Sequence, residues 1–125
     1  MTELDALLER LGRQRFLFHQ FQGDQHGPEV LAAVYDWGGV ADVLILYDER
    51  VACAYRLPTG PDIDVFAPRL VYYWFMDCPV WTLRAILTLA PPGHPDAPVE
   101  LLELPPGYGL PIERRLPVRM RMRER

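Results

Sequence analysis

Two histidines and an aspartate come close together once in this chain, in "HQFQGDQHG", which holds His19, Asp24 and His26. If His19 ends a strand and His26 sits in the loop after it, the two could converge on a metal. The six residues between them match no standard ligand spacing, however, and no cysteine or third histidine is near. A solvated polar loop is the simpler expectation, with no metal and no cofactor. Asp62 and Asp64 in "PDID" form a carboxylate pair of the kind that holds a hard cation or merely solubilises a loop. His94 in "PPGHPD" reads as surface. The chain has no serine, which excludes serine nucleophiles. Cys53 and Cys78 would need a neighbouring cation, Arg56 or Arg84, to lower a thiol pKa and become nucleophilic. "GYGLP" runs into proline rather than a helix start, so it is no phosphate loop.

Asp42 stands apart as a lone carboxylate in the apolar run "VADVLILY". A carboxyl group buried without a partner has its pKa driven up, which would make Asp42 a candidate acid or base. With His19 and Tyr73 it could line a small pocket inside a curled sheet. Such a site leaves no linear motif, and no motif here supports catalysis, so the expectation leans away from an enzyme.

The elements that must position these residues begin with "TELDALLERLG". Thr2 suits an N-cap, Leu4, Leu7, Leu8 and Leu11 recur at helical spacing, and Gly12 marks a C-terminus. "RFLFHQFQ" alternates as a strand does. "VLAAVYDW", Gly38-Gly39 and "VADVLILY" read as a hairpin with a primed turn, and "RVACAYRL" follows as a third strand. "RLVYYWF" reads as a fourth. "DCPVWTLRAILTLA" admits two readings. As a helix it has Asp77 as cap and Pro79 in the first turn; as a strand it alternates Trp81, Leu83 and Ala85 with Thr82 and Arg84. The helix is preferred. Eight of the 13 prolines lie beyond Ala90, leaving only "VELLEL" and "PVRMRM" as regular segments there. The expected fold is α+β: an antiparallel meander of four to six strands, an N-terminal helix and a second helix on one face, and a proline-rich C-terminal segment.

The run Tyr72, Tyr73, Trp74 and Phe75 makes both faces of its strand apolar, and the neighbouring strands agree. Two helices of about ten residues, each about 15 Å long and 10 Å across, cover roughly one face of a sheet about 20 Å wide. The other face needs a cover: curling of the sheet, the proline-rich segment, or a second copy of the chain. Trp37 belongs to the same aromatic set.

With 125 residues, 50% hydrophobic, and a net charge of −4, the chain is expected to fold as one domain, residues 1–112, followed by a basic tail, residues 113–125. Acidic residues near the N-terminus argue against a secretory signal, and charges interrupt every long apolar window, so no membrane association and a cytoplasmic location are expected. Two cysteines with no framework spacing are expected to be free thiols. Arginine supplies all 13 basic residues, so any one arginine is weaker evidence of recognition than it would be beside lysines. The tail holds six arginines against Glu113 and Glu124, and alternates Arg119, Arg121 and Arg123 with Val118, Met120 and Met122 like an edge strand.

The leading functional expectation is a small non-catalytic binding or adaptor domain acting through an exposed aromatic sheet face, as a homodimer or with another protein. The alternative is a small-molecule pocket or enzyme inside a curved sheet. Nucleic-acid binding through the tail comes third, disfavoured by the acidic pI of about 5.3 and the lack of a recognised motif.

Overall fold

The computed structural model describes residues 2–21 and 29–110. Asp24, His26 and the arginine tail, including Arg119, Arg121 and Arg123, lie outside the described residues.

Helix α1 (Glu3–Arg13) starts on a reciprocal cap: the Thr2 hydroxyl accepts from the Asp5 amide, and the Asp5 carboxylate accepts from the Thr2 amide. It runs one residue past Gly12, and the chain then turns at Arg15 with φ of 69°. Strands β1 (Leu17–Phe21), β2 (Val30–Asp36), β3 (Val40–Leu46) and β4 (Ala52–Pro58) follow as an antiparallel meander. Gly38 and Gly39, at φ of 88° and 93°, make the β2–β3 turn that L-residues would resist. At the β3–β4 turn the Asp48 carboxylate accepts from the Arg50 and Val51 amides, which holds its carboxyl below the usual carboxylate range. A short β5 (Leu70–Val71) precedes β6 (Tyr73–Asp77), which completes the five-stranded sheet in the order β1-β2-β3-β4-β6. The second helix is α2 (Pro79–Thr88), with Pro79 in its first turn as the helical reading requires. Finally β7 (Leu102–Glu103) pairs with β5 as a separate two-stranded ribbon.

Both sheet faces are apolar and both are covered. On one, α1 and α2 pack Leu7, Leu11, Leu83 and Ile86 against Ala33, Leu44 and Ala54. On the other, Val30, Val43, Ile45, Cys53 and Tyr55 lie under Val65 and Phe66 of the loop after β4 and under Leu104, Tyr108 and Leu110. The lid is thus supplied by two irregular segments, one of them proline-rich. They are pinned by polar contacts: Tyr55 donates to the Val65 carbonyl at 2.6 Å, Tyr47 to the Gly109 carbonyl at 2.5 Å, and the Leu110 amide to the Phe66 carbonyl at 2.7 Å.

The aromatic run is not one continuous strand. The ladder breaks at Tyr72, whose amide still bonds the Arg56 carbonyl at 2.7 Å, and this shifts the alternation by one residue. Val71 therefore shares the lid-side core with Trp74 and Met76, whereas an unbroken strand would have put it on the side of Tyr73 and Phe75. Tyr72, Tyr73, Trp74 and Phe75 are all half-buried.

The lid depends on one close backbone approach. Gly109 has φ of 81°, and a Cβ there would lie 2.7 Å from the Phe66 carbonyl oxygen; Gly107 has φ of 94° but open space around it. Replacing Gly107 with alanine should cost about 1 kcal/mol of left-handed backbone strain. Gly109→Ala carries the same strain plus a steric clash, so its urea midpoint should fall further. Equal midpoints for the two variants would mean that the lid does not seat as closely as described.

Candidate functional site

Asp42 sits in β3 opposite Arg56 in β4, and both side chains point to the helix side of the sheet. They form a bidentate pair: Arg56 Nε donates to Asp42 Oδ1 at 2.5 Å, and Nη2 donates to Oδ2 at 2.9 Å. Their residues are 1% and 2% exposed, so both charges have left water. Removing two ions from water costs several kcal/mol each, and only good geometry with further hydrogen bonds recovers it. Here the further bonds are present. Trp37 Nε1 donates to Asp42 Oδ2 at 3.0 Å, and Arg56 Nη1 donates to the carbonyl of Ala90 at 2.6 Å, just beyond α2. The Trp37 ring also lies 5.8 Å from the guanidinium carbon.

Two cavities flank the pair. The larger, about 360 Å³, opens between the sheet and the end of α2. Phe16, Tyr35 and Trp37 form its aromatic wall, with ring centroids 5.4 Å apart for the first two and 4.7 Å for the second two. Leu87 and Leu89 face that wall, and Gln14 and Asp42 supply polar atoms. The smaller, about 200 Å³, is lined by Arg56, Val40, Tyr72 and the loop residues Pro92, Gly93, Pro98 and Val99. The stretch from Ala90 to Pro92 passes between them, held by Arg56.

The proposed polar lining of a single pocket separates into two places. Tyr73 stands opposite Arg56 in the β4–β6 ladder, and burial, with the charge of Asp42 second, pushes its hydroxyl above the usual tyrosine range. His19 is on the other face, stacked over Phe21 at 6.1 Å and edge-on to Phe66 at 5.6 Å. Asp42 is buried with a partner, so the condition for reading it as an unpaired acid or base is not met. Trp37 lies in the aromatic wall, and of the four consecutive aromatics Tyr72 lines the smaller cavity while Trp74 packs under the lid. Asp62 and Asp64 are exposed. Among the described residues no cluster of His, Cys, Asp or Glu could hold a metal ion, and no helix is long and apolar enough to cross a membrane. Both cysteines are free thiols; burial pushes Cys53 above the usual thiol range, although the Tyr47 hydroxyl at 3.3 Å opposes that shift.

Sequence reasoning flagged Asp42 and Trp37 but missed Arg56 as the partner and Gln14, Phe16 and Leu87 as lining. Compared with protein-family models, curated proteins and solved structures, the chain matches none.

The pair makes a sharp energetic expectation. Asp42→Leu or Arg56→Met alone leaves an unpaired buried charge and should cost about 3–5 kcal/mol. Asp42→Leu combined with Arg56→Met removes both charges and should cost less than the sum of the two single changes by at least about 2 kcal/mol. Chemical denaturation of the four proteins measures this, and additive losses would show that the two groups do not act as a pair.

Proposed function

We propose that this protein is a non-catalytic binding domain for a small, flat, neutral aromatic molecule, held in the cleft of Phe16, Tyr35 and Trp37. The observation that carries the reading is Trp37. Its indole is 42% exposed although its N–H is fixed on a buried carboxylate, so a large ring is held in place and left half wet. A cleft of about 360 Å³ with apolar walls and few polar atoms has the size and lining of small-molecule sites. A rigid wall loses little entropy when a ring stacks on it. Arg56 neutralises Asp42, so the cleft favours an uncharged guest. The carboxylate already accepts three N–H donors, which supports recognition over proton transfer.

Indole and 2-naphthol serve as probes. Either should shift the Trp37 side-chain N–H and Gln14 side-chain signals saturably, with Kd of about 0.1–1 mM for a ligand of this size. Leu87→Trp, which fills the cleft from its half-buried opposite wall, should abolish the shifts while the melting temperature stays within a few degrees. Binding that survives Leu87→Trp, or no saturable shift for either probe, would reject the reading.

Self-association is the second reading. It is supported by Leu70, Val99, Leu101 and Leu102, which are exposed along the β5–β7 ribbon and the residues leading into β7. It expects a dimer by light scattering at micromolar concentration that Leu101→Glu converts to monomer. A monomer at all concentrations would remove it.

A further inference from the structure

We infer that the smaller cavity on the far side of Arg56 is a second binding site, built to take the neutral carbonyl oxygen of a small amide or lactam. A guanidinium carries five N–H bonds. Arg56 places one from Nε and one from Nη2 on Asp42 and one from Nη1 on the Ala90 carbonyl. One N–H on each Nη is left without a protein acceptor among the described residues, on a residue only 1% exposed. Buried donors in folded proteins are almost always satisfied, and an unsatisfied one costs about 1–3 kcal/mol, more on a charged group. Arg56 lines a cavity of about 200 Å³, so there is room for an acceptor to approach it.

The surroundings select the acceptor's chemistry. The charge of Arg56 is already balanced by Asp42, its bidentate partner. A second carboxylate would bring two negative charges to one positive, with Asp42 repelling it at short range. A neutral carbonyl brings a strong acceptor without that repulsion. The remaining lining residues are Val40, Tyr72, Pro92, Gly93, Pro98 and Val99, a mostly apolar set suited to a compact apolar body behind the oxygen. A cavity of about 200 Å³ has room for a compact body such as a five-membered lactam. Val99 is 83% exposed, which sets it at the rim.

This site is separate from the aromatic cleft, and the two can fail independently. The probes are 2-pyrrolidinone and, at equal concentration and ionic strength, acetate. On the full chain, 2-pyrrolidinone should move the Arg56 Nε–H and the Gly93 and Val99 amide signals saturably, with Kd of about 1–10 mM for six heavy atoms. The Trp37 and Gln14 signals that report the aromatic cleft should stay in place. Acetate should bind at least tenfold more weakly. Val99→Trp, which closes the rim from an exposed position, should weaken the lactam at least tenfold with little change in melting temperature. Arg56→Lys should do the same if it folds; if it does not, Val99→Trp and the acetate comparison still decide. No saturable shift at 50 mM would mean that the cavity holds water only. Equal or tighter binding of acetate, or lactam binding indifferent to Val99→Trp, would equally overturn the proposal.

Discussion

A guanidinium taken out of water must find acceptors for its N–H groups, and the helix side of this sheet is organised around how Arg56 does so. The side chain crosses from β4 to a carboxylate on β3 and to a main-chain carbonyl beyond α2, so it ties together two strands and the strap that follows the helix. Because the pair is buried, neither partner can be removed alone without leaving a bare charge. Trp37 then hangs from the same carboxylate, which ties the aromatic wall to the ion pair beneath it. The two cavities exist where they do because the pair occupies the space between them and the strap passes over it.

The opposite face is held by different means. Among the described residues no helix packs there, and its apolar side chains are shielded by loops whose own backbone groups need partners. The hydroxyls of Tyr47 and Tyr55, rooted in the sheet, reach up to carbonyls in those loops. This answers the problem of a sheet apolar on both sides within the chain itself, at the cost of a lid that depends on individual hydrogen bonds and on the close approach at Gly109. Cys53, beneath the lid, is kept neutral by its burial. The stability associated with its raised pKa is fully present below the pKa of an unfolded thiol and is lost as pH rises through the folded value.

Much of this architecture was legible in the residues. Gly38-Gly39 marked the hairpin because glycine tolerates two successive positive φ angles without strain, and Pro79 favoured the helical reading because proline suits the first turn of a helix. The demand for a second cover followed from apolar residues on both faces of the strands. Local rules did not reveal the break at Tyr72, which no glycine or proline marks. They also missed the ion pair, although a signal was present. Counting back from Leu46 and forward from Ala52 across the β3–β4 turn brings Asp42 opposite Arg56. In a chain whose basic residues are all arginine, one arginine in an apolar strand carries little weight until the register is drawn. The cleft itself was illegible, because Gln14, Phe16 and Leu87 meet only through the packing of helices on the sheet.

The helix side of the sheet depends on Arg56 being dry and doubly anchored, and the most direct test is hydrogen exchange at its guanidinium. Nitrogen-detected NMR at neutral pH should show the Arg56 Nε–H and the Nη hydrogens held by Asp42 and Ala90 resolved and slowly exchanging, with coupling across the hydrogen bonds to Asp42. If those hydrogens instead exchange with water as fast as those of the exposed arginines, the pair is solvated and the structure's central contact is not what holds it together.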